Sequence, residues 1–238
     1  KSKAEKSLGN ENMEIEVELN KFVGYENTES KSKIYQVETY DDKFIIFTEE
    51  NPFYFEAGGQ ISDKGVITID DASIEVIDVF QASNGATGLI VDSDIFKVDQ
   101  EVELSVNKSF RSGVSKSHTG AHIVHSALRN ILGDHVAQAG SNVTPGKFRF
   151  DFSHTEKVSQ EELDEIFALS NSAVFEDYEV NTNIMNIDEA KNEGALAFFG
   201  DKYEDDVRVV NIGDFSKELC GGTHVHNSHD VGLIVLLQ

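Results

Sequence analysis

The sequence predicts an α+β chain in which an antiparallel β-barrel is followed by a domain of mixed helices and strands. Three observations predict it. Short apolar segments of strand length recur from Ile15 to Val106, several strictly alternating with polar residues. Past Ser117 the apolar spacing lengthens to that of a helix, and helical and strand patterns then interleave. The 238 residues, 39% hydrophobic and 26% charged, suffice for two small domains with their own cores. The expected division is a barrel over residues 1–107 and an α+β domain over 108–238.

Residues 1–12 are polar, and we expect them to fray. The barrel strands are expected at Ile15–Leu19, Ile34–Val37, Phe44–Phe47, Ile74–Val79, Leu89–Val91 and Val102–Val106. Turns fall between them at Tyr40–Asp42, Asn51–Pro52, Asp70–Asp71 and Ser83–Gly85, spaced as in a small barrel. Gly58 and Gly59 interrupt the alternation and predict a bulge or hairpin corner. From Ser117, Ala121, Val124, Leu128 and Leu132 recur at helical spacing, with Gly133 as the stop and the histidines at the helix start. A hairpin turning at Pro145–Gly146 follows, then a helix opened by the Ser159–Glu162 capping box. Strands are expected at Val180–Ile187, Val207–Ile212 and Val231–Leu237.

No apolar run is long enough to span a bilayer, so no membrane partner is expected. The first residues carry neither an initiator Met nor an apolar signal core, which predicts a piece of a longer protein. A single cysteine excludes an internal disulfide and fits a reducing, cytoplasmic compartment. The formal net charge of −23 argues against a nucleic-acid partner, yet the average conceals a reversal. Between Lys108 and Phe150 stand Lys108, Arg111, Lys116, Arg129, Lys147 and Arg149 against one acid, Asp134. Such an island can guide a polyanion to one place, or be no more than a solvated face.

The chemistry-bearing residues are His118-Thr-Gly-Ala-His122 and Cys220-Gly-Gly-Thr-His224. Each stretch offers two metal-type ligands four positions apart, a spacing that brings side chains to one helix face. Three imidazoles and one thiolate suit tetrahedral Zn2+, which takes both nitrogen and sulfur. Against this stands the plainer reading of a polar helix face and a small buried cysteine. The metallopeptidase pattern needs Glu directly after the first His, where this chain has Thr119. His125, one turn beyond His122, is an alternative ligand by spacing.

His118–Ser141, Phe148–His154 and Cys220–His224 together resemble the editing domain of alanyl-tRNA synthetases. Phe22–Glu26, Phe53–Gln60 and Gly194–Gly200 are also similar to that family, so the resemblance covers nearly the whole chain. The threonyl editing domain shares the ligand spacing but usually carries Arg and Pro where this chain has Gly221 and Thr223. The resemblance implies a zinc-containing aminoacyl-tRNA deacylase that hydrolyses the ester of mischarged Ser-tRNA(Ala) and Gly-tRNA(Ala), without the aminoacylation core. It implies His118, His122, Cys220 and His224 as zinc ligands, and Gln138 with Cys220 in catalysis. It further implies that Gln138, Ser141, Gly221, Gly222 and Thr223 line the substrate. The family commonly has Thr before the second ligand His, where this chain has Ala121. The implied partners are the acylated 3′ end of tRNA(Ala) and the remaining domains of the synthetase, not DNA. Two alternatives stay open: a freestanding deacylase acting in trans, and a zinc-stabilised tRNA-binding module without turnover. Four protein ligands close a tetrahedral site, so either one yields to water or substrate, or the ion only holds the ester in place.

Overall fold

In the computed structural model the described residues are 15–196 and 205–237. The polar N-terminal dozen and the last four residues of Gly194–Gly200 lie outside them. Two compact units are present: residues up to Ala57 with Ile61–Arg111, and Gly58–Gln60 with the residues from Ser112 onward.

The first unit is built from β1 (Lys21–Phe22), β2 (Glu29–Tyr40), β3 (Lys43–Thr48), β4 (Glu50–Asn51), β5 (Gly65–Ile69), β6 (Ala72–Val76), β7 (Asp78–Gln81), β8 (Thr87–Val91) and β9 (Glu101–Val106). Seven of these form one antiparallel sheet in the order β6-β5-β9-β2-β3-β8-β7, while β1 and β4 pair in parallel apart from it. The sheet curls because β2 serves two neighbours. Its first residues pair with β9 and its later ones with β3, and a bulge between Ile34 and Gln36 bends it at the change. The barrel expected from sequence therefore takes the form of a curled half-barrel. Ile34, Ile46, Phe53, Ile67, Leu89 and Leu104 pack on one face, and Ile45, Phe47, Phe80 and Ile90 on the other. Burial on both faces explains why Phe44–Phe47 reads as a continuous apolar run.

Two strand expectations fail here, each for a visible reason. Ile15–Leu19 is extended but makes no ladder. Its carbonyls at Glu16, Val17 and Glu18 accept instead from the side chains of Gln36, Asn84 and Tyr35, at 2.9, 2.6 and 2.6 Å. The Ile74–Val79 run breaks at Ile77, between β6 and β7. The unit also holds a buried ion pair. Arg111 donates from Nε to both oxygens of Asp63, at 2.9 and 3.0 Å, and from a terminal nitrogen to the carbonyl of Pro52 at 2.8 Å.

The second unit comprises α1 (Lys108–Leu132), whose first turn belongs to the first unit, then β10 (Gln138–Thr144), β11 (Lys147–Phe152), α2 (Gln160–Phe175), β12 (Val180–Asn186), α3 (Ile187–Asn192), β13 (Asp206–Ile212) and β14 (Ser216–Leu219). Helix α1 begins well before the expected start. Its cap is Asn107, whose side-chain oxygen accepts from the Phe110 amide at 3.0 Å, so the histidines lie mid-helix. The first ten residues are rich in Ser and bury polar groups such as Ser115 and Ser117, which hides the helical period. Ile123, Val124, Ala127 and Leu128 of α1 pack against Phe148, Phe150 and Phe152 of β11 and Ile166, Ala173 and Val174 of α2.

The β10–β11 hairpin turns where expected, and the capping box of α2 is complete, with Ser159 accepting from the Glu162 amide at 3.2 Å. Replacing Ser159 by Ala is expected to cost about 1 kcal/mol, read as a lowered urea midpoint at unchanged slope. Strands β12, β13 and β14 form an antiparallel sheet in that order. The expected last strand is absent: a 3-10 turn at Ser228–Val231 leads into extended chain held by Asn171, which bonds both the amide and the carbonyl of Ile234. Among the described residues no helix is long and apolar enough to cross a membrane.

Candidate metal centre

Helix α1 places His118 and His122 one turn apart, with their rings stacked 5.2 Å between centroids. Strand β14 ends at Leu219 and delivers Cys220, after which the chain bends at Gly222 so that His224 faces both helical histidines. The ligand atoms of His118, His122, Cys220 and His224 all lie within 4.8 Å of one another. Sγ of Cys220 stands 3.4 Å from Nε2 of both His118 and His224. His125 is outside this group.

Each histidine turns its other nitrogen to a partner. Nδ1 of His118 meets the side-chain oxygen of buried Gln60 at 2.8 Å, and Nδ1 of His224 meets the Thr119 hydroxyl at 3.1 Å. Nδ1 of His122 lies 2.8 Å from the carboxylate of buried Glu218. The Nε2 atoms are thereby aimed at the shared centre, and that of His122 is buried with no hydrogen-bond partner among the described residues. An orphaned buried polar atom is costly unless something meets it. The set can hold a metal ion.

The electrostatics follow from burial and proximity. Burial pushes the Cys220 thiol up, but the imidazoles of His118, His122 and His224 outweigh it and hold the group well below its usual range, as thiolate. Burial, aided by the positive character of its neighbours and opposed by Cys220, takes His224 down to about 3. For His122 burial pulls down, yet Glu218 and Cys220 raise it to about 10. Burial likewise works against the Glu218 carboxylate, while His122 and His125 bring it down to about 2.

The loop is fixed from several sides. The Gly222 amide donates to Sγ of Cys220 at 3.3 Å, and Arg208 on β13 donates to the carbonyls of Cys220 and Gly222, each at 2.8 Å. A Cβ at Gly222 would stand 2.1 Å from the His118 ring. Gly222→Ala is therefore expected to displace that ring, costing about 1–3 kcal/mol by overpacking and weakening metal binding, measured by thermal unfolding with and without chelator.

The other residues singled out by sequence sit as follows. Gln138 and Ser141 lie on β10, joined by a 3.1 Å hydrogen bond. Gly58 and Gly59 run beside them: the Ser141 hydroxyl meets the Gly58 carbonyl at 3.3 Å, and a Cβ on Gly59, which has φ of +80°, would lie 2.1 Å from that hydroxyl. The next residue, Gln60, is the one that holds His118. The expected bulge or hairpin corner is a turn at Gly58–Gly59, both with positive φ, that leads from beside β10 to the ligand cluster. Gly221 is exposed, whereas Thr223 is buried, its hydroxyl engaged by Gln60 at 3.0 Å and Ser115 at 2.8 Å. Ala121 is buried and offers no hydroxyl.

Sequence reasoning missed Gln60, Glu218, Thr119 and Arg208. The available signals were a Gly-Gly pair directly before Gln60 and an acid standing on a short strand two residues before the cysteine. The basic island also changes in content. Lys108 pairs with Glu29, Arg111 with Asp63, Arg129 with Asp134 and Arg149 with Asp151, which leaves Lys116 and Lys147 without an ion pair among the described residues.

Comparison with known proteins adds an independent line. Residues 207–238 match the threonyl and alanyl tRNA synthetase second additional domain, and residues 1–110 match the class II (A) tRNA synthetases. An alanine–tRNA ligase of Oceanobacillus iheyensis is 43% identical over 228 residues, 91% of this chain and 26% of that protein. Those of Bacillus velezensis and Bacillus subtilis are each 41% identical over the same shares. The chain spans about a quarter of the length of these relatives.

Proposed function

The chain belongs to the alanine–tRNA ligase family, and on that premise we propose that it is the editing segment of such a synthetase, a deacylase for Ser-tRNA(Ala) and Gly-tRNA(Ala). The observation that carries the reading is the cluster of four ligand atoms with each imidazole anchored through its Nδ1. Residues 108–238 are the proposed hydrolytic domain, with Gln60 contributed from upstream.

The residues fit Zn2+. Ligands around a tetrahedral zinc with bonds of about 2.0–2.3 Å stand about 3.6 Å apart. The two nitrogen–sulfur separations here are 3.4 Å, while the four atoms as a set span up to 4.8 Å and would draw together on an ion. Nε2 of His118, His122 and His224 with Sγ of Cys220 would hold the ion. When bound, it supplies a Lewis acid for an ester carbonyl or lowers the pKa of a water to about 7.

The need for such a site follows from size. A pocket shaped for alanine cannot exclude glycine, and one hydroxyl or methyl is worth only about 1–3 kcal/mol, so a second, hydrolytic sieve is required. In this site Gln138 and Ser141 present hydrogen-bonding groups that the hydroxyl of serine can meet and the methyl of alanine cannot, which accounts for the serine half of the specificity and not for glycine. Lys116 and Lys147, the cations of the island with no ion pair among the described residues, are the groups we assign to phosphate of the acceptor end.

The test compares hydrolysis of Ser-tRNA(Ala) by the wild type with that by Cys220→Ala and Gln138→His. Both variants are expected to lose most of the activity. Unchanged rates in the two would reject the site.

A further inference from the structure

Resting on the reading of the four-residue cluster as a metal site, we propose that Glu218 is its positioning carboxylate, braced by His125, and that metal affinity depends on this pair although neither touches the ion. Glu218 is 1% exposed on β14, in a strand position that faces α1 while its neighbour Leu219 packs in the opposite core. One oxygen lies 2.8 Å from Nδ1 of His122, an ion-pair contact bent away from hydrogen-bond geometry, and the other lies 3.1 Å from Nδ1 of His125 and accepts from the Ser216 hydroxyl at 3.1 Å.

A buried carboxylate is an acceptor with no proton to give, so the imidazole nitrogens facing it carry hydrogen. For His122 that puts hydrogen on Nδ1 and leaves Nε2, which has no hydrogen-bond partner among the described residues, as the nitrogen that can hold a metal. A carboxylate behind a ligating histidine both orients the ring and raises its basicity. There is also a charge argument. A divalent ion with the Cys220 thiolate alone would leave a net positive charge buried in the site, and the Glu218 carboxylate cancels it. Isolated buried charge is too expensive to leave unmatched.

His125 acts through Glu218. It is 3% exposed and lies tilted against Phe150 with ring centroids 5.0 Å apart, and its ring is held by that packing. With His125 and Ser216 on one oxygen, the carboxylate plane is set and the second oxygen points to His122. The helix therefore supplies both a ligand at His122 and, one turn on, the brace for that ligand's partner.

The experiment measures Zn2+ affinity of the full chain by competition with a chelating indicator, and the visible absorption of the Co2+ form. Glu218→Gln is expected to bind Zn2+ about 10- to 100-fold more weakly and to shift the Co2+ bands, with His125→Gln weaker by a smaller factor. The double variant should be no weaker than Glu218→Gln alone, because the brace works through the carboxylate. Glu218→Asp, which keeps the charge, should recover part of the affinity and carries the test if the Gln variant does not fold. Equal affinity and unchanged Co2+ spectra in Glu218→Gln, or in Glu218→Asp and His125→Gln, would overturn the inference. A wild-type chain that binds neither ion overturns the metal reading itself, and this inference with it.

Discussion

Cys220→Ala is expected to leave the protein unable to retain zinc through gel filtration and to make its melting temperature insensitive to chelator. The thiolate is the one anionic ligand of the four, and it sits where three imidazoles converge. Metal bound to the folded state alone stabilises it by mass action, about 4 kcal/mol when the free ion is a thousand times its Kd. Losing the thiolate removes most of that gain, while Ala fills the place of a small side chain without strain. The wild type should therefore show a large drop in melting temperature on adding chelator, and Cys220→Ala should already melt at the lower value. Zinc content by mass spectrometry of the intact protein distinguishes this from simple unfolding, since His118→Ala and His224→Ala should give the same loss.

The second large effect lies in the curled sheet. Asp63 is 1% exposed and receives Arg111 through two nitrogens as well as the Tyr54 amide at 2.7 Å. Replacing Asp63 by Ala would leave a guanidinium buried with its carboxylate gone and an amide without its acceptor. Breaking one side of a buried pair costs about 3–5 kcal/mol, because the surviving charge is uncompensated. Asp63→Asn keeps the volume and one acceptor and should lose less. Urea unfolding followed by fluorescence and circular dichroism reads both. If Asp63→Ala unfolds within 1 kcal/mol of the wild type, the pair contributes far less than its burial implies.

Much of this was legible in residues whose cause is local. The β10–β11 hairpin at Pro145–Gly146, the stop of α1 at Gly133 and the Ser159 cap are decided by neighbours in sequence, and all three stand as the sequence predicts. Ile15–Leu19 alternates as well as any strand, but pairing depends on what lies opposite, and side chains of Tyr35, Gln36 and Asn84 took up its carbonyls. The early start of α1 was hidden because Ser115 and Ser117 bury hydroxyls rather than methyl groups. At the candidate site the pairs His118/His122 and Cys220/His224 could be read from spacing, but their supports could not. Gln60 reaches His118 across 58 positions and Glu218 meets His125 across 93, separations that no periodicity encodes. Charge counting failed for the same reason: Arg111 reads as a free cation until Asp63 is seen beside it.

The separation of a deacylase from a metal-stabilised binding module rests on turnover. The direct measurement is release of labelled serine from Ser-tRNA(Ala) by the zinc-loaded chain, with correctly charged Ala-tRNA(Ala) alongside. The account predicts serine released well above the spontaneous rate and in multiple turnovers, with Ala-tRNA(Ala) left intact. Serine release at the spontaneous rate by folded, zinc-loaded protein would contradict it.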